Sequence, residues 1–265
     1  MVTILDKIIE QKQIELQSFD SFEDLQDRLD DLVRSEAMPL TKGFAKAIRQ
    51  AQGPAIIAEL KKASPSKGLL KENFDVLDIA RQYTAGGAHC FSVLTDNYFF
   101  QGSYENLIVV SSEFDIPCLC KEFIIDERQI AQARISGADA VLLIASILDH
   151  RQLEDFKFLI EDYGMDALIE VHNAAELEKA LSHGFDLIGI NNRDLNTFEV
   201  SLDTSSKLIS KFKYELGGVT LISESGIKNK QDIMILEQMG VKGFLVGESL
   251  ITQENHELAL RNLLY

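Results

Sequence analysis

Two lysines, three glutamates and an asparagine stand near the ends of separate apolar runs in this chain. Glu59 and Lys61 close AIIAELK, Lys121 closes CLCK, Glu170 sits in ALIEV, Asn191 ends LIGIN and Glu224 lies in LISES. Successive side chains of a strand alternate in direction, so residues two apart share a face. Glu59 and Lys61 therefore share the face of Ile57, Lys121 that of Leu119, and Glu170 that of Leu168. By the same rule Asn191 lies above Gly189 and Glu224 above Ile222. Burying one charge costs several kcal/mol unless it is compensated. A structural ion pair would account for any one of these residues taken alone. Five runs that each deliver an inward polar side chain at the same end describe a functional cluster. A lysine and a glutamate held close in a partly dry pocket have shifted pKa values suited to acid–base work.

The elements that must position them alternate along the chain. Strands are expected at Ala55–Leu60, Cys90–Thr95, Pro117–Glu122, Ala140–Ala145, Ala167–Val171, Leu187–Asn191, Thr220–Glu224 and Gly243–Val246. Most are short apolar runs with little alternation, as strands buried on both faces are. Helical patterns lie between them, among them Asp126–Ser136, Asp149–Tyr163, Ala174–Ser182 and Lys228–Met239, with Gly137, Gly164, Gly184 and Gly240 placed to end them. Before residue 54 there are only helical patterns: Met1–Gln17, Ser21–Val33 with Ser21 as N-cap, and Phe44–Ala51. Repeated strand–helix units imply a parallel sheet. Eight units in 265 residues fit a closed (β/α)8 TIM barrel, although an open doubly wound sheet also alternates. With no linker-like stretch in sight, residues 1–265 are expected to form a single domain, 1–53 being an N-terminal helical extension packed on the barrel. In such a barrel the catalytic groups come from the C-terminal ends of the strands.

Two further segments bear on an anion. ISESGI follows the seventh strand and FLVGESL the eighth, which places Gly226 and Gly247 where barrels bind phosphate through backbone N–H groups. Glu248 is the wrong charge beside a phosphate, so its backbone would bind while its carboxylate turns away. The segment SPSKG adds Ser64 and Ser66 as donors, and Lys67 as an anion ligand or a solvated loop charge.

The bulk composition narrows the partners. A formal net charge of -16 argues against nucleic acid, which is bound chiefly through Lys and Arg. Cys90, Cys118 and Cys120 lie on apolar runs, as reduced thiols of a cytoplasmic protein do. No apolar stretch approaches about 20 residues, so no membrane span is expected. Asp6, Lys7 and Glu10 interrupt the apolar residues at the N-terminus, which argues against a signal peptide.

The segment IIAELKKASPSKGLL, with its Glu-x-Lys-x-x-Ser-Pro-Ser pattern, resembles the signature of indole-3-glycerol phosphate synthases. The resemblance continues through VLTDNYFFQGSYENL, CLCKEFIID, VLLIASIL, LIEVHN, GINNRDL, ISESGI and FLVGESL, and includes the helical N-terminal segment. It implies closure of a pyrrole ring on 1-(2-carboxyphenylamino)-1-deoxyribulose 5-phosphate, with loss of carbon dioxide and water and without metal or organic cofactor. It makes Lys121 the general acid of ring closure, Glu170 its acid–base partner in dehydration, and Lys61 a catalytic lysine that also holds a substrate anion. Glu59 and Asn191 match orienting residues, and Ser64, Arg193, Glu224 and Ser225 match the rest of the rim. Gly226, Gly247 and the backbone of Glu248 match the phosphate grip, while Phe100, Phe123 and Leu142 match the wall around the aromatic ring. The only partner implied is the small phosphorylated substrate; the expected state is a monomer, with a homodimer as the alternative.

Two departures from the family pattern stand out: Asn192 where serine is common, and Glu248 where a small hydroxyl residue is often found. Three other readings compete. A phosphoribosylanthranilate isomerase would normally carry a Cys and Asp pair, whereas the first strand here ends in Glu59 and Lys61. A Schiff-base enzyme would use Lys121 as nucleophile. A phosphometabolite-binding barrel without activity would not need the full set of Glu59, Lys61, Lys121, Glu170 and Asn191.

Overall fold

The computed structural model describes residues 3–194 and 197–265. Met1 and Val2 of the first helical pattern, and Leu195 of GINNRDL, lie outside the described residues. Eight strands close into a parallel barrel: β1 (Ala55–Leu60), β2 (Cys90–Leu94), β3 (Cys118–Lys121), β4 (Ala140–Ile144), β5 (Asp166–Val171), β6 (Leu187–Asn191), β7 (Thr220–Glu224) and β8 (Val241–Val246). Each strand pairs with the next, and β1 pairs with β8 to close the ring. The expected strands are all present. Thr95, Glu122 and Ala145 fall just past the ends of theirs, where the chain has already turned into the loops that carry polar residues.

The helices start where a side chain can accept the free N–H groups of the first turn. In α1 (Ile4–Glu15) that residue is Thr3, whose hydroxyl accepts from the Asp6 amide while the Asp6 carboxylate accepts from the Thr3 amide. Ser21 caps α2 (Phe22–Arg34) as its position in the sequence foretold. Asp75, Ser103, Asp126, Asp149, Asn173 and Asn229 cap α4 (Val76–Gly86), α5 (Tyr104–Glu113), α6 (Glu127–Ile135), α7 (His150–Asp162), α8 (Ala174–Ser182) and α10 (Lys230–Gln238), while α9 (Asp203–Lys211) has no side-chain cap.

Two cores follow from the alternation. Ile57, Leu119, Leu168 and Ile222 point inward and fill the barrel, and Phe44 and Ile48 of α3 (Phe44–Gln50) join them. Asp166 at the start of β5 accepts from the Ala45 amide at 2.8 Å, which fixes α3 across the N-terminal end of the barrel. The alternate residues, including Cys118 and Cys120, pack under the outer helices. Leu25 and Leu29 of α2 pack on Ala131 of α6. With α3 sealing one end, the polar ends of the strands face the other. A short antiparallel hairpin, Ala63–Ser64 with Gly68–Leu69, follows β1 where the sequence suggested only a loop. Its turn depends on Gly68, whose φ of 68° is left-handed.

Candidate active site

Lys121 is the centre of the charged cluster. It ends β3, and its Nζ lies 2.7 Å from Glu170 Oε2 on β5 and 3.0 Å from Glu224 Oε2 on β7. Lys61, just past β1, pairs with Glu59 on the same strand. The two ion pairs share one mouth, a cavity of about 580 Å³ bounded by the C-terminal ends of the strands and their loops.

One ammonium cannot neutralise two buried carboxylates, and the pair divides accordingly. Burial alone would push Glu170 up, but the charges of Lys121 and His172 outweigh it and hold Glu170 well below the usual carboxylate range. Burial also pushes Glu224 up; Lys121 opposes this only in part and Glu170 adds to it, so Glu224 rises to about 7. Burial works against the charge on Lys121, yet Glu170, Glu224 and Glu59 together hold its pKa above its ordinary value. Near neutrality the cluster thus contains a firm carboxylate, a firm ammonium and one carboxyl poised to exchange a proton.

The close packing of this cluster requires two positions without side chains. In the strand register Glu170 stands opposite Gly189, and Asn191 opposite Glu224. A Cβ on Gly189 would collide with Glu224 Oε1, and one on Gly247 with Glu59 Oε1. We expect Gly189→Ala to displace the Glu224 carboxylate from Lys121 and to cost about 1–3 kcal/mol of stability as an overpacked site. Paired thermal melts and turnover assays check this; unchanged values in both would show that Glu224 moves aside without consequence.

The remaining residues form the rim. Asn191 Oδ1 accepts from the Arg193 amide at 3.0 Å, and Arg193 Nη2 reaches Glu248 Oε2 at 3.4 Å. Lys67 Nζ lies 3.8 Å from the other oxygen of Glu248. The Glu248 carboxylate is therefore drawn aside by two cations, while its backbone opens the short helix α11 (Glu248–Ile251) directly after Gly247. Ser225 and Gly226 follow β7 with φ of 64° and 84°, a left-handed pair in which the serine is strained. Asn192 ties this turn down. Its amide donates to the Ser225 and Glu224 carbonyls and to Ser223 Oγ, and its oxygen accepts from Ser205. That buried network explains how asparagine fits where serine is common in the family pattern. Phe100 and Phe123 have ring centroids 6.0 Å apart, and Leu142 of β4 lines the same cavity.

Every site residue expected from the sequence lines this one cavity: Glu59, Lys61, Ser64, Phe100, Lys121, Phe123, Leu142, Glu170, Asn191, Arg193, Glu224, Ser225, Gly226, Gly247 and Glu248. Three features were missed. Ile4, Leu5 and Ile8 of α1 also line it, so the first helix covers part of the mouth. Lys12 of α1 is buried, 2.7 Å from Asp96 and 3.1 Å from Glu122 in the loops after β2 and β3. Its only sequence signal was its helical spacing from Leu5, Ile8 and Ile9, which puts it on their apolar face; a lysine at the edge of a solvated helix shows the same spacing. His172 stands two residues beyond Glu170, so the alternation that picked out Glu170 could have found it too.

The family model described as indole-3-glycerol phosphate synthase matches residues 5–263. The chain is 51% identical over 230 residues to the indole-3-glycerol phosphate synthase of Rippkaea orientalis, covering 85% of this chain and 78% of that one. The chain belongs to the indole-3-glycerol phosphate synthase family. The enzyme of that name from Crocosphaera subtropica is 46% identical over 267 residues, covering 98% and 89% of the two chains. This is accordingly a decarboxylating lyase of tryptophan biosynthesis. Among solved structures, KGPDC from Streptococcus mutans aligns with a TM-score of 0.61 at 15% identity, over 80% of this chain and 96% of that one. A 3-hexulose-6-phosphate synthase aligns with a TM-score of 0.60 at 12% identity, over 79% and 97%. At such identities the likeness shows the barrel fold alone. Membership of the synthase family sets aside the isomerase and the inactive-barrel readings. No helix among the described residues is long and apolar enough to cross a membrane.

Proposed function

We propose that the cluster around Lys121 closes the indole ring on 1-(2-carboxyphenylamino)-1-deoxyribulose 5-phosphate, with the roles divided as the geometry suggests. The observation that carries this reading is Lys121 held between Glu170 at 2.7 Å and Glu224 at 3.0 Å. Ring closure turns the substrate ketone oxygen into an alkoxide, which is a stronger base than an amine. Lys121 can therefore polarise the ketone and deliver its proton to that oxygen even with a raised pKa. Lys61, paired with Glu59, holds the aromatic carboxylate until it leaves as carbon dioxide. The proton whose loss aromatises the ring then passes to Glu170 and on through Lys121, 2.7 Å away, to the hydroxyl, which departs as water. Asn191 orients Arg193, and Glu224, Ser64 and Ser225 complete the rim. Phe100, Phe123 and Leu142 supply the wall for the ring. The backbone at Gly226, Gly247 and Glu248 receives the phosphate, with the Glu248 carboxylate held off by Arg193 and Lys67.

Every residue in this scheme comes from one chain, so a monomer suffices for the activity. The N-terminal helices and the barrel act as one unit, because Ile4, Leu5 and Ile8 complete the mouth. Three free, buried cysteines agree with a reducing, cytoplasmic setting.

Single-turnover measurements on Glu170→Gln test the division of labour. Carbon dioxide should be released in an amount close to that of the enzyme, with little indole emission, in the presence of a chelator. Equal loss of both products would place Glu170 at ring closure instead. A borohydride-trapped adduct on Lys121 would replace the acid role by a Schiff base.

A further inference from the structure

His172 lies beyond the end of β5, between two carboxylates. Its Nε2 is 3.1 Å from Glu170 Oε1, and its Nδ1 is 3.0 Å from Glu176 Oε2 in the first turn of α8. The Glu176 oxygen also accepts from the His172 amide at 2.7 Å, and its second oxygen accepts from Asn173 Nδ2 at 2.6 Å. The imidazole is thus clamped from behind by a carboxylate that is itself fixed to the helix start. At 3.1 Å the Nε2 contact to Glu170 is close enough for an ion pair, although it is not aligned as a hydrogen bond.

Glu170 is consequently held by both oxygens from opposite sides, Oε2 by Lys121 and Oε1 by His172. Lys121 shares its charge with Glu224 and interacts with Glu59, and in the proposed reaction it parts with a proton. A carboxylate that depended on Lys121 alone would lose its counter-charge at the step where it must act. His172 takes no part in that transfer and keeps its charge.

We infer that His172, clamped by Glu176, is a positioning residue that fixes the Glu170 carboxylate and keeps it anionic through the dehydration step. The inference rests on Glu170 being the base of the reaction proposed above. The groups facing this pair are Lys121 from β3, Glu224 from β7 and Glu176 from α8, with Glu59 reaching Lys121 from β1. Burial lowers the basicity of His172, but Glu170 and Glu176 outweigh it and raise its pKa to about 10, so it is an imidazolium at neutral pH.

The test is the pH profile of kcat/KM for the wild type, His172→Gln, Glu176→Gln and Glu170→Gln. The acid limb reports protonation of the base in the free enzyme. Removing a positive charge within about 4–6 Å of a carboxylate raises its pKa by about 1–3 units. His172→Gln should move the acid limb up by about that much, with a loss that is roughly tenfold or more at the acid end and vanishes towards neutral pH. Glu176→Gln should move it the same way by less. A His172→Gln profile lowered by the same factor at every pH, with Glu170→Gln inactive, would overturn the positioning role while sparing Glu170. Full activity in Glu170→Gln would instead remove the reading on which the inference rests. If His172→Gln does not fold, Glu176→Gln and the 15N imidazole signals of the wild type decide. Both His172 nitrogens should stay protonated through pH 8, and a neutral ring at pH 7 would overturn the inference.

Discussion

Replacing Lys121 by alanine should leave a folded barrel whose turnover falls by roughly 10²–10⁴-fold, the usual weight of a positioned acid. The protein has no tryptophan, so new indole emission stands against a background of tyrosine and phenylalanine only. The fold should survive because Glu224, already raised to about 7, can take up a proton when the ammonium between it and Glu170 is removed. One neutral and one charged carboxyl can then share a hydrogen bond where the lysine stood. Lys121→Arg separates electrostatics from proton donation. A guanidinium keeps the positive charge but does not give up a proton in this pH range. It should therefore bind substrate and still turn over slowly. Activity within tenfold of the wild type in both variants would exclude Lys121 as the acid.

Replacing Lys12 by methionine should cost about 3–5 kcal/mol, the range for stripping one partner from a buried ion pair. Its ammonium touches Asp96, Glu122 and Glu15, and the side chains of Asp96 and Glu122 are almost wholly shielded from solvent. Burial, the Lys12 charge notwithstanding, already holds Glu122 above its ordinary value. Without that charge Glu122 must be protonated in the folded state. A carboxyl whose folded pKa is raised costs stability increasingly as pH climbs above its unfolded value, so the deficit of the variant should grow with pH above the ordinary carboxylate range. The melting temperature should fall by on the order of ten degrees at pH 8. The consequence reaches the site along two routes. Lys12 holds α1, whose Ile4, Leu5 and Ile8 line the mouth. It also holds Asp96, whose Oδ1 accepts from the Phe99 and Phe100 amides at 2.7 and 3.0 Å. KM should therefore rise more than kcat falls. A variant that melts like the wild type at every pH would mean that the carboxylates rearrange to water at no cost.

The barrel and the inward set of polar residues were legible in the sequence because both depend on short periods. Strand side chains alternate with a period of two, so Glu59, Lys61, Lys121, Glu170, Asn191 and Glu224 could each be placed on the face of an apolar neighbour without knowing any partner. Turn glycines and N-caps mark element ends locally in the same way. Which carboxylate answers to which lysine was not legible. Lys121 meets Glu170 and Glu224 because closure of the barrel brings the ends of their strands together, and the bare position Gly189 leaves room for the Glu224 carboxylate. His172 shares the alternation of Glu170, but nothing local marked its role, because its second partner Glu176 belongs to the next helix. Lys12 escaped because a lysine in an amphipathic helix is ordinarily solvated, and only its two distant loop carboxylates, Asp96 and Glu122, show it to be buried. Local periodicity thus decided which side chains enter the barrel mouth; contacts between residues far apart in the chain decided how their charges are shared, since a pair energy depends on separation and burial that no run of neighbouring residues contains.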